Sequence, residues 1–374
     1  TVLITGGGGC FGFWLCSEPE EIPHDLFDIS SPAQTIPEGI TFVSDIGHLA
    51  DVEKPFMGMS LVCSMGMSGR EQLNRKLMHE VNVGHGQCPP GLQRRGVPRL
   101  VYTSTFNVIF RGQVITNGDE SLPYLPLHPH PDHYSRTKSI AEKKVLEANG
   151  PALERGKSVL RTCALRPAIY GPGEQRHLPR IVSYMERGLF KFVYGDPRSL
   201  VEFVHVDNLV QAHILASEAL RADKGHVASG QPYFISDGRP VNNFEFFRPL
   251  VEGLGYTFPS TRLPLGLIYC FAFLTEMVHF ILGRLYNFQP FLTRTEVYKT
   301  GVTHYFSLEK ARKELGYEAQ PYDLQEVVEW FEAHGHGRSP DSRVSECCVW
   351  GGLLGFLLVV AALTWLPPPV ILLL

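Results

Sequence analysis

The chain has 374 residues, 44% of them hydrophobic and 19% charged, with a formal net charge of -4. That length carries a sizeable buried core, as one large α/β unit or as two intimate domains. The slightly acidic balance offers no basic field, so nucleic acid is excluded as a partner.

Val2-Leu3-Ile4 reads as a short buried parallel strand. Thr5-Gly6-Gly7-Gly8-Gly9-Cys10-Phe11-Gly12 follows it, with Gly6, Gly9 and Gly12 at the spacing G-x-x-G-x-x-G. Glycines so placed let the backbone turn tightly, approach a pyrophosphate and pack the next helix on the sheet. Phe11 opens that helix, whose free N–H groups face the phosphates. Pro19 and Pro23 stand where the helix would continue, so it is expected to stop near Ser17.

Leu26-Phe27-Asp28 reads as a second strand. At its end the Asp28 carboxylate would accept hydrogen bonds from the adenosine ribose and repel a 2′-phosphate, which favours NAD over NADP. The competing reading is a turn-forming aspartate before Ser30-Ser31-Pro32; its distance from Gly12 favours the ribose role. Leu100-Val101-Tyr102 is a further buried strand, and Thr103-Ser104-Thr105 stands at its carboxyl end, where ligands lie in open α/β sheets.

Tyr134 and Lys138 open a helical run four residues apart, so both can face one cleft. A phenol is a poor base at neutral pH. A neighbouring ammonium favours its phenolate, which can then take the proton of a substrate alcohol as hydride leaves for a nicotinamide. A hydroxyl of Ser104 or Thr105 would hold the substrate oxygen. Alone, the Tyr–Lys pair reads equally as a surface pair of small worth; with the glycine turn and the hydroxyl triplet, in this order, it reads as a catalytic centre.

The order of glycine turn, Ser/Thr patch, Tyr134-x-x-x-Lys138, Leu165-Arg166-Pro167 and Phe203-Val204-His205-Val206-Asp207-Asn208 resembles the extended short-chain dehydrogenase/reductases. Tyr102-Thr103-Ser104-Thr105 and Phe306-Ser307-Leu308-Glu309-Lys310-Ala311 are similar to the 3β-hydroxysteroid dehydrogenase branch, and Asp28 to Thr35 with Arg99 to Asn149 to its family 42E. The resemblance implies a Rossmann-like, doubly wound parallel sheet with a smaller α/β substrate domain. It implies NAD as cofactor and a steroid- or sterol-like small molecule as substrate. By the same carry-over Tyr134 is the proton acceptor, Lys138 binds the nicotinamide ribose, and Thr105 is the active-site hydroxyl with Ser104 beside it. Asp45 and Ile46 meet the adenine, Asn82 stands near the proton relay, Pro167 lies in the loop over the nicotinamide, and a homodimer is expected.

The sequence departs from that pattern in the dinucleotide half. The run Met57–Ser64 is short for a fourth strand. Gly84-His85-Gly86-Gln87-Cys88-Pro89-Pro90-Gly91 reads as a poor helix, and the Arg166–Tyr170 loop is one residue short. Two other readings therefore stand beside the dehydrogenase. One is a nucleotide-sugar epimerase or dehydratase, with Arg176, Arg180 and Arg198 for a diphosphate. The other is an inactive, membrane-tethered relative with a damaged cofactor site.

Residues 1–171 are expected to form the dinucleotide domain and 172–334 mainly the substrate domain. Leu263 to Leu285 is apolar but contains Glu276 and His279, with Arg284 near its end. An acid at the bilayer centre costs about 2.5–3.5 kcal/mol, which weighs against spanning. A helix lying on a membrane, a wall of an apolar pocket and an ordinary core helix stay open. After a polar linker at 335–348, Val349 to Leu366 carries no charge and has Trp350 and Trp365 near its ends. At 1.5 Å per residue it reaches roughly 27 Å, close to the ~30 Å of a bilayer core, so 349–374 reads as a transmembrane segment. Arg338 and Arg343 precede it, which puts the enzyme body in the cytosol, with the endoplasmic reticulum as the expected membrane. No basic stretch opens the chain, so no signal peptide is read. None of the eight cysteines forms a C-x-x-C pair and no zinc spacing occurs, so free thiols and no metal are expected.

Overall fold

The computed structural model describes residues 2–17, 24–28, 41–44, 59, 61–65, 75–85, 88–126, 132–150, 159–282 and 292–338. The apolar runs pair into one seven-stranded parallel sheet. Its strands are β1 (Val2–Thr5), β2 (His24–Asp28), β3 (Thr41–Ser44), β4 (Leu61–Met65), β5 (Arg99–Thr103), β7 (Arg161–Arg166) and β11 (Gln231–Phe234), in the spatial order β11-β7-β5-β4-β1-β2-β3. The chain thus winds outward one way from β1 through β2 and β3, then returns to continue the other way from β4. The switch between β1 and β4 is where a doubly wound sheet opens a crevice for a ligand.

Side-chain alternation divides the core between the two faces. On one face Val2 and Ile4 of β1, Leu61 and Cys63 of β4, Val101 of β5 and Cys163 and Leu165 of β7 join a single buried cluster. It takes in Leu15 of helix α1 (Cys10–Ser17) and, further on, Leu209 and Ala216 of a later helix, Val206–Ala219. On the other face Leu3, Val62, Leu100, Tyr102 and Ala164 pack with Leu92, Ala141 and Val145. Strands buried on both faces read as continuous apolar runs, which is why these segments show no polar alternation.

Two of the departures read in the sequence are corrected here. The short fourth strand is complete enough to hold the centre of the sheet: Leu61 to Ser64 pair with Val2 to Thr5, and Val62 to Met65 with Leu100 to Thr103. The Gly- and Pro-rich stretch after Asn82 is also largely helical. Helix α2 (Arg75–His85) includes Gly84, and α3 (Cys88–Arg95) starts afresh with Pro89 and Pro90 in its first turn. There the missing N–H groups cost nothing, because first-turn N–H groups have no intrahelical acceptor. Helix α1 is described as far as Ser17, its expected stop, and the residues that follow lie outside the described ones. Pro19, Pro23, Asp45, Ile46 and the proposed span at 349–374 lie outside the described residues.

The remaining helices are α4 (His133–Glu147), α5 (Leu178–Glu186), α6 (Val206–Ala219), α7 (Asn243–Phe246), α8 (Arg248–Gly253), α9 (Leu265–Leu282), α10 (Arg294–Gly301), α11 (Glu309–Leu315) and α12 (Gln325–Ala333). Among the described residues there are also three two-stranded parallel pairs. They are β10 (Val204–His205) with β8 (Ile169–Tyr170), β12 (Arg262–Leu263) with β9 (Val193–Tyr194), and β13 (His304–Phe306) with β6 (Ile115–Gly118). Residues 1–176, 198–243 and 302–323 form one compact unit and 177–197, 244–301 and 324–374 a second. Segments from well beyond residue 171 therefore contribute to the first unit.

In the second unit α9 packs on α10. Glu276 accepts from both the N–H and the Nε of Arg294, each at 2.7 Å, so the acid inside the apolar run is neutralised within the fold. Ile268 and Ala272 are buried, whereas Leu267, Phe273, Met277 and Phe280 face outward. Among the described residues no helix is long and apolar enough to cross a membrane.

Ile4 has no exposed surface at the centre of the sheet. Ile4→Ala is expected to lower the unfolding free energy by about 2–5 kcal/mol, read from the midpoint of a denaturant titration.

Candidate active site

The glycine turn leaves β1 in a conformation that only glycine holds without strain. Gly6 has φ +77, and the Gly9 N–H donates to its carbonyl at 3.1 Å. A Cβ on Gly12 would lie 2.4 Å from the Gly6 oxygen and 2.7 Å from the Gly7 Cα, so Gly12 lets α1 approach the turn. Asp28, at the end of β2, accepts from the Gly8 N–H through Oδ2 at 2.8 Å. Its carboxylate is therefore held beside the turn, while Ser30, Ser31 and Pro32 of the competing turn reading lie outside the described residues. Phe11 packs by its ring against His213, with 4.8 Å between centroids, so the side chain serves the core and only its backbone can face a phosphate.

Helix α4 carries the Tyr–Lys pair. Asp132 caps it, accepting from the Ser135 N–H and from the Ser135 hydroxyl at 2.7 Å each, which fixes the first turn and with it Tyr134. Lys138, one turn further, is buried and donates to the Thr103 carbonyl at the end of β5, at 2.6 Å. Burial lowers its ammonium to about 7, with Glu142 opposing the shift. Burial raises the phenol of Tyr134, while the Arg176 guanidinium, 5.4 Å from the ring centroid, pulls the other way and Asp132 adds to the rise.

The three hydroxyls after Tyr102 divide their work. Ser104 donates to Glu142, so its hydroxyl is engaged and the expected choice between Ser104 and Thr105 falls on Thr105. Thr105 accepts from the N–H and the Nδ2 of Asn107, at 3.3 and 2.8 Å, which leaves its own O–H to donate. Asn82 of α2 donates through Nδ2 to Thr137 at 3.0 Å, bracing α4 at the residue before Lys138. Pro167 is buried between β7 and β8.

Two buried groups at this strand edge were missed by sequence reasoning. Glu142, read only as a helix residue, forms a fully buried pair with Arg166, whose Nη2 and Nε donate to Oε1 at 2.6 and 3.0 Å; Tyr124 donates to the same oxygen at 2.7 Å. The signal available was its position one turn after Lys138 on the same helix face. His213 of α6 lies on the opposite face. Its Nδ1 is 2.8 Å from the Leu209 carbonyl and its Nε2 2.7 Å from the Thr103 hydroxyl. A carbonyl only accepts, so Nδ1 carries the hydrogen and the Thr103 hydroxyl donates to Nε2. Of the arginines considered for a diphosphate, Arg180 is tied to Glu296.

Residues 3–265 match the 3-beta hydroxysteroid dehydrogenase/isomerase family. The chain belongs to that family. Over 382 residues it is 79% identical to short-chain dehydrogenase/reductase family 42E member 1 of Macaca fascicularis, covering 100% of this chain and 97% of that one. It is 31% identical over 318 residues to a Mus musculus protein named sterol-4-alpha-carboxylate 3-dehydrogenase, decarboxylating, covering 84% and 85%. In fold it is similar to a double mutant of DesIV, a dTDP-glucose 4,6-dehydratase from Streptomyces venezuelae solved with NAD and DAU bound. That match has a TM-score of 0.65 at 20% identity and covers 89% of this chain and 97% of that one. The chain is thus an NAD-dependent dehydrogenase/reductase of the short-chain superfamily. Gly6–Gly12, Asp28, Tyr134 and Lys138 all lie within the matched residues.

Glu142→Gln is expected to leave the Arg166 charge uncompensated and to cost about 3–5 kcal/mol of stability, read by chemical denaturation. His213 gives a pH test. Burial holds its imidazolium down to about 4 against an ordinary 6.5, with the Leu209 hydrogen bond opposing. The unfolded chain takes up this proton below 6.5 while the folded chain refuses it until about 4. The contribution of His213 is therefore complete above 6.5 and falls as pH drops towards 4, by up to about 1.4 kcal/mol per pH unit. The slope of unfolding free energy between those limits is expected to be shallower in His213→Gln.

Proposed function

We propose that this chain is a membrane-anchored oxidoreductase that acts with NAD on the hydroxyl of a steroid- or sterol-like alcohol. Tyr134 is the general base, Lys138 its support and the nicotinamide-ribose ligand, and Thr105 the group that holds the substrate oxygen. The observation that carries this reading is the placing of Lys138. The side chain folds back from α4 to the end of β5, which sets Tyr134 and the Thr105 hydroxyl on the same sheet edge as the glycine turn. The residues present fit the cofactor: the left-handed Gly6 and the close approach allowed by Gly12 form the tight turn before α1, and Asp28 beside it would repel a 2′-phosphate.

When bound, NAD accepts the hydride. The chain's residues do the rest. Thr105 donates to the substrate oxygen and orients it, and Tyr134 takes the hydroxyl proton at Oη. The buried ammonium of Lys138 favours the phenolate and holds the ribose. A sterol-like substrate draws support from the murine relative's name and from lipid solubility, which suits an anchored enzyme. The anchor is the uncharged segment 349–366, with the catalytic body on the cytosolic side of an endoplasmic-reticulum membrane. The outward apolar residues of α9, Leu267, Phe273, Met277 and Phe280, suit a second contact with the same lipid surface.

The test is thermal unfolding of the detergent-solubilised full chain with NAD and with NADP. At a hundredfold excess over its dissociation constant NAD is expected to add about 2.7 kcal/mol, and NADP far less. Tyr134→Phe is expected to keep that stabilisation and lose sterol turnover, while UDP-sugars fail to compete. Equal stabilisation by both cofactors removes the role of Asp28. No stabilisation by either removes the reading.

A further inference from the structure

The Arg176 guanidinium stands over the ring of Tyr134, 5.4 Å from its centroid. The loop that follows β8 runs Gly171-Pro172-Gly173-Glu174-Gln175-Arg176. Its path is built rather than loose. Gly171 and Gly173 take φ of +155 and +75, the Glu174 N–H donates to the Gly171 carbonyl at 3.2 Å, and the Arg176 N–H donates to Glu174 Oε1 at 2.7 Å. Trp14 of α1 donates from Nε1 to the Pro172 carbonyl at 3.2 Å, which ties the loop to the helix after the glycine turn. Residues 171 to 174 are buried. The loop ends by setting the Arg176 guanidinium over the face of Tyr134.

The charged groups that face Tyr134 are few. Asp132 comes from the cap of its own helix and Arg176 from the loop after β8. Lys138 follows one turn along α4, with its ammonium on the Thr103 carbonyl. His133, the neighbour of Tyr134, turns towards His79 of α2, with ring centroids 6.4 Å apart. Burial and Asp132 both oppose a phenolate; Arg176 favours it. A guanidinium on an aromatic face is attracted by the ring even when the phenol is neutral, and more strongly once the phenolate forms.

We infer that Arg176 is a positioning residue for the general base: it orients the Tyr134 ring and sets the pH at which the phenol ionises. This rests on Tyr134 being that base. Its consequence is that the base is tuned from two sides, by a lysine on its own helix and by an arginine on the loop that crosses the site.

The test reads Tyr134 directly. Full-length protein carrying tyrosine labelled with ¹³C at Cζ is titrated in detergent, and the Tyr134 signal, one of 14 tyrosines, is assigned by its loss in Tyr134→Phe. In Arg176→Gln the signal is expected to titrate at higher pH than in the parent, and in Arg176→Lys between the two. Arg176→Leu is a second neutral variant in case Gln disturbs the loop. Lys138→Met is expected to move the signal less than Arg176→Gln in the absence of cofactor. With substrate, kcat/KM of Arg176→Gln is expected to fall roughly tenfold at neutral pH and to recover as pH rises, as for the loss of one nearby opposite charge. A Tyr134 titration unmoved in both neutral variants, or moved more by Lys138→Met, overturns the inference. Failure of the underlying reading has a different signature: Tyr134→Phe would retain turnover while the titration shift persisted.

Discussion

The buried pair between Glu142 and Arg166 is the interaction on which the rest of the site depends. It joins three elements: α4, which carries Tyr134 and Lys138; β7, which leads into Pro167; and the end of β5, through Ser104. Two charges taken out of water attract strongly, but their desolvation offsets most of that gain, so the pair adds little net stability over an apolar alternative. What it adds is a fixed geometry. One carboxylate receives Arg166, Tyr124 and Ser104 at once, and that set of hydrogen bonds is satisfied in only one register of α4 against the sheet.

The opposite face of the sheet holds the same strand end by a different device. His213 is locked as one tautomer between Leu209 and Thr103, so the threonine whose carbonyl receives Lys138 is also gripped by its side chain from α6. The ring of His213 meets Phe11, at the start of the helix that follows the glycine turn. The glycine turn and Lys138 are therefore neighbours through one neutral imidazole. Burial strips an imidazolium of its hydration, which is why burial and neutrality go together at this position.

What could be read in the sequence, and what could not, follows from range. The glycine spacing, Asp28 and the four-residue step from Tyr134 to Lys138 are local patterns, and each reflects a local demand: a tight turn, a strand end, one helix face. Ser104 and Thr105 were equivalent by their own pattern and separated only by the resemblance, and the engagement of Ser104 by Glu142, 38 residues on, could not be read locally. The pairing of Thr103 with His213 spans 110 residues, and no periodicity announces it. Cys88-Pro89-Pro90 misleads for another reason. Proline is penalised in a helix interior and tolerated in the first turn, and a sequence does not say which turn it is.

The damage read into the dinucleotide half looks different in this light. A strand needs only enough residues to reach both neighbours, and β4 does so, pairing β1 on one side and β5 on the other at the switch point. The break between α2 and α3 falls beyond Asn82, whose hydrogen bond to Thr137 is intact. The irregular stretches therefore lie to either side of the groups that hold Tyr134, Lys138 and the glycine turn. The clamps on those groups, Glu142 with Arg166 on one face and His213 on the other, come from α4, β7 and α6, and the Glu142 pair is formed although the short loop begins at Arg166 itself.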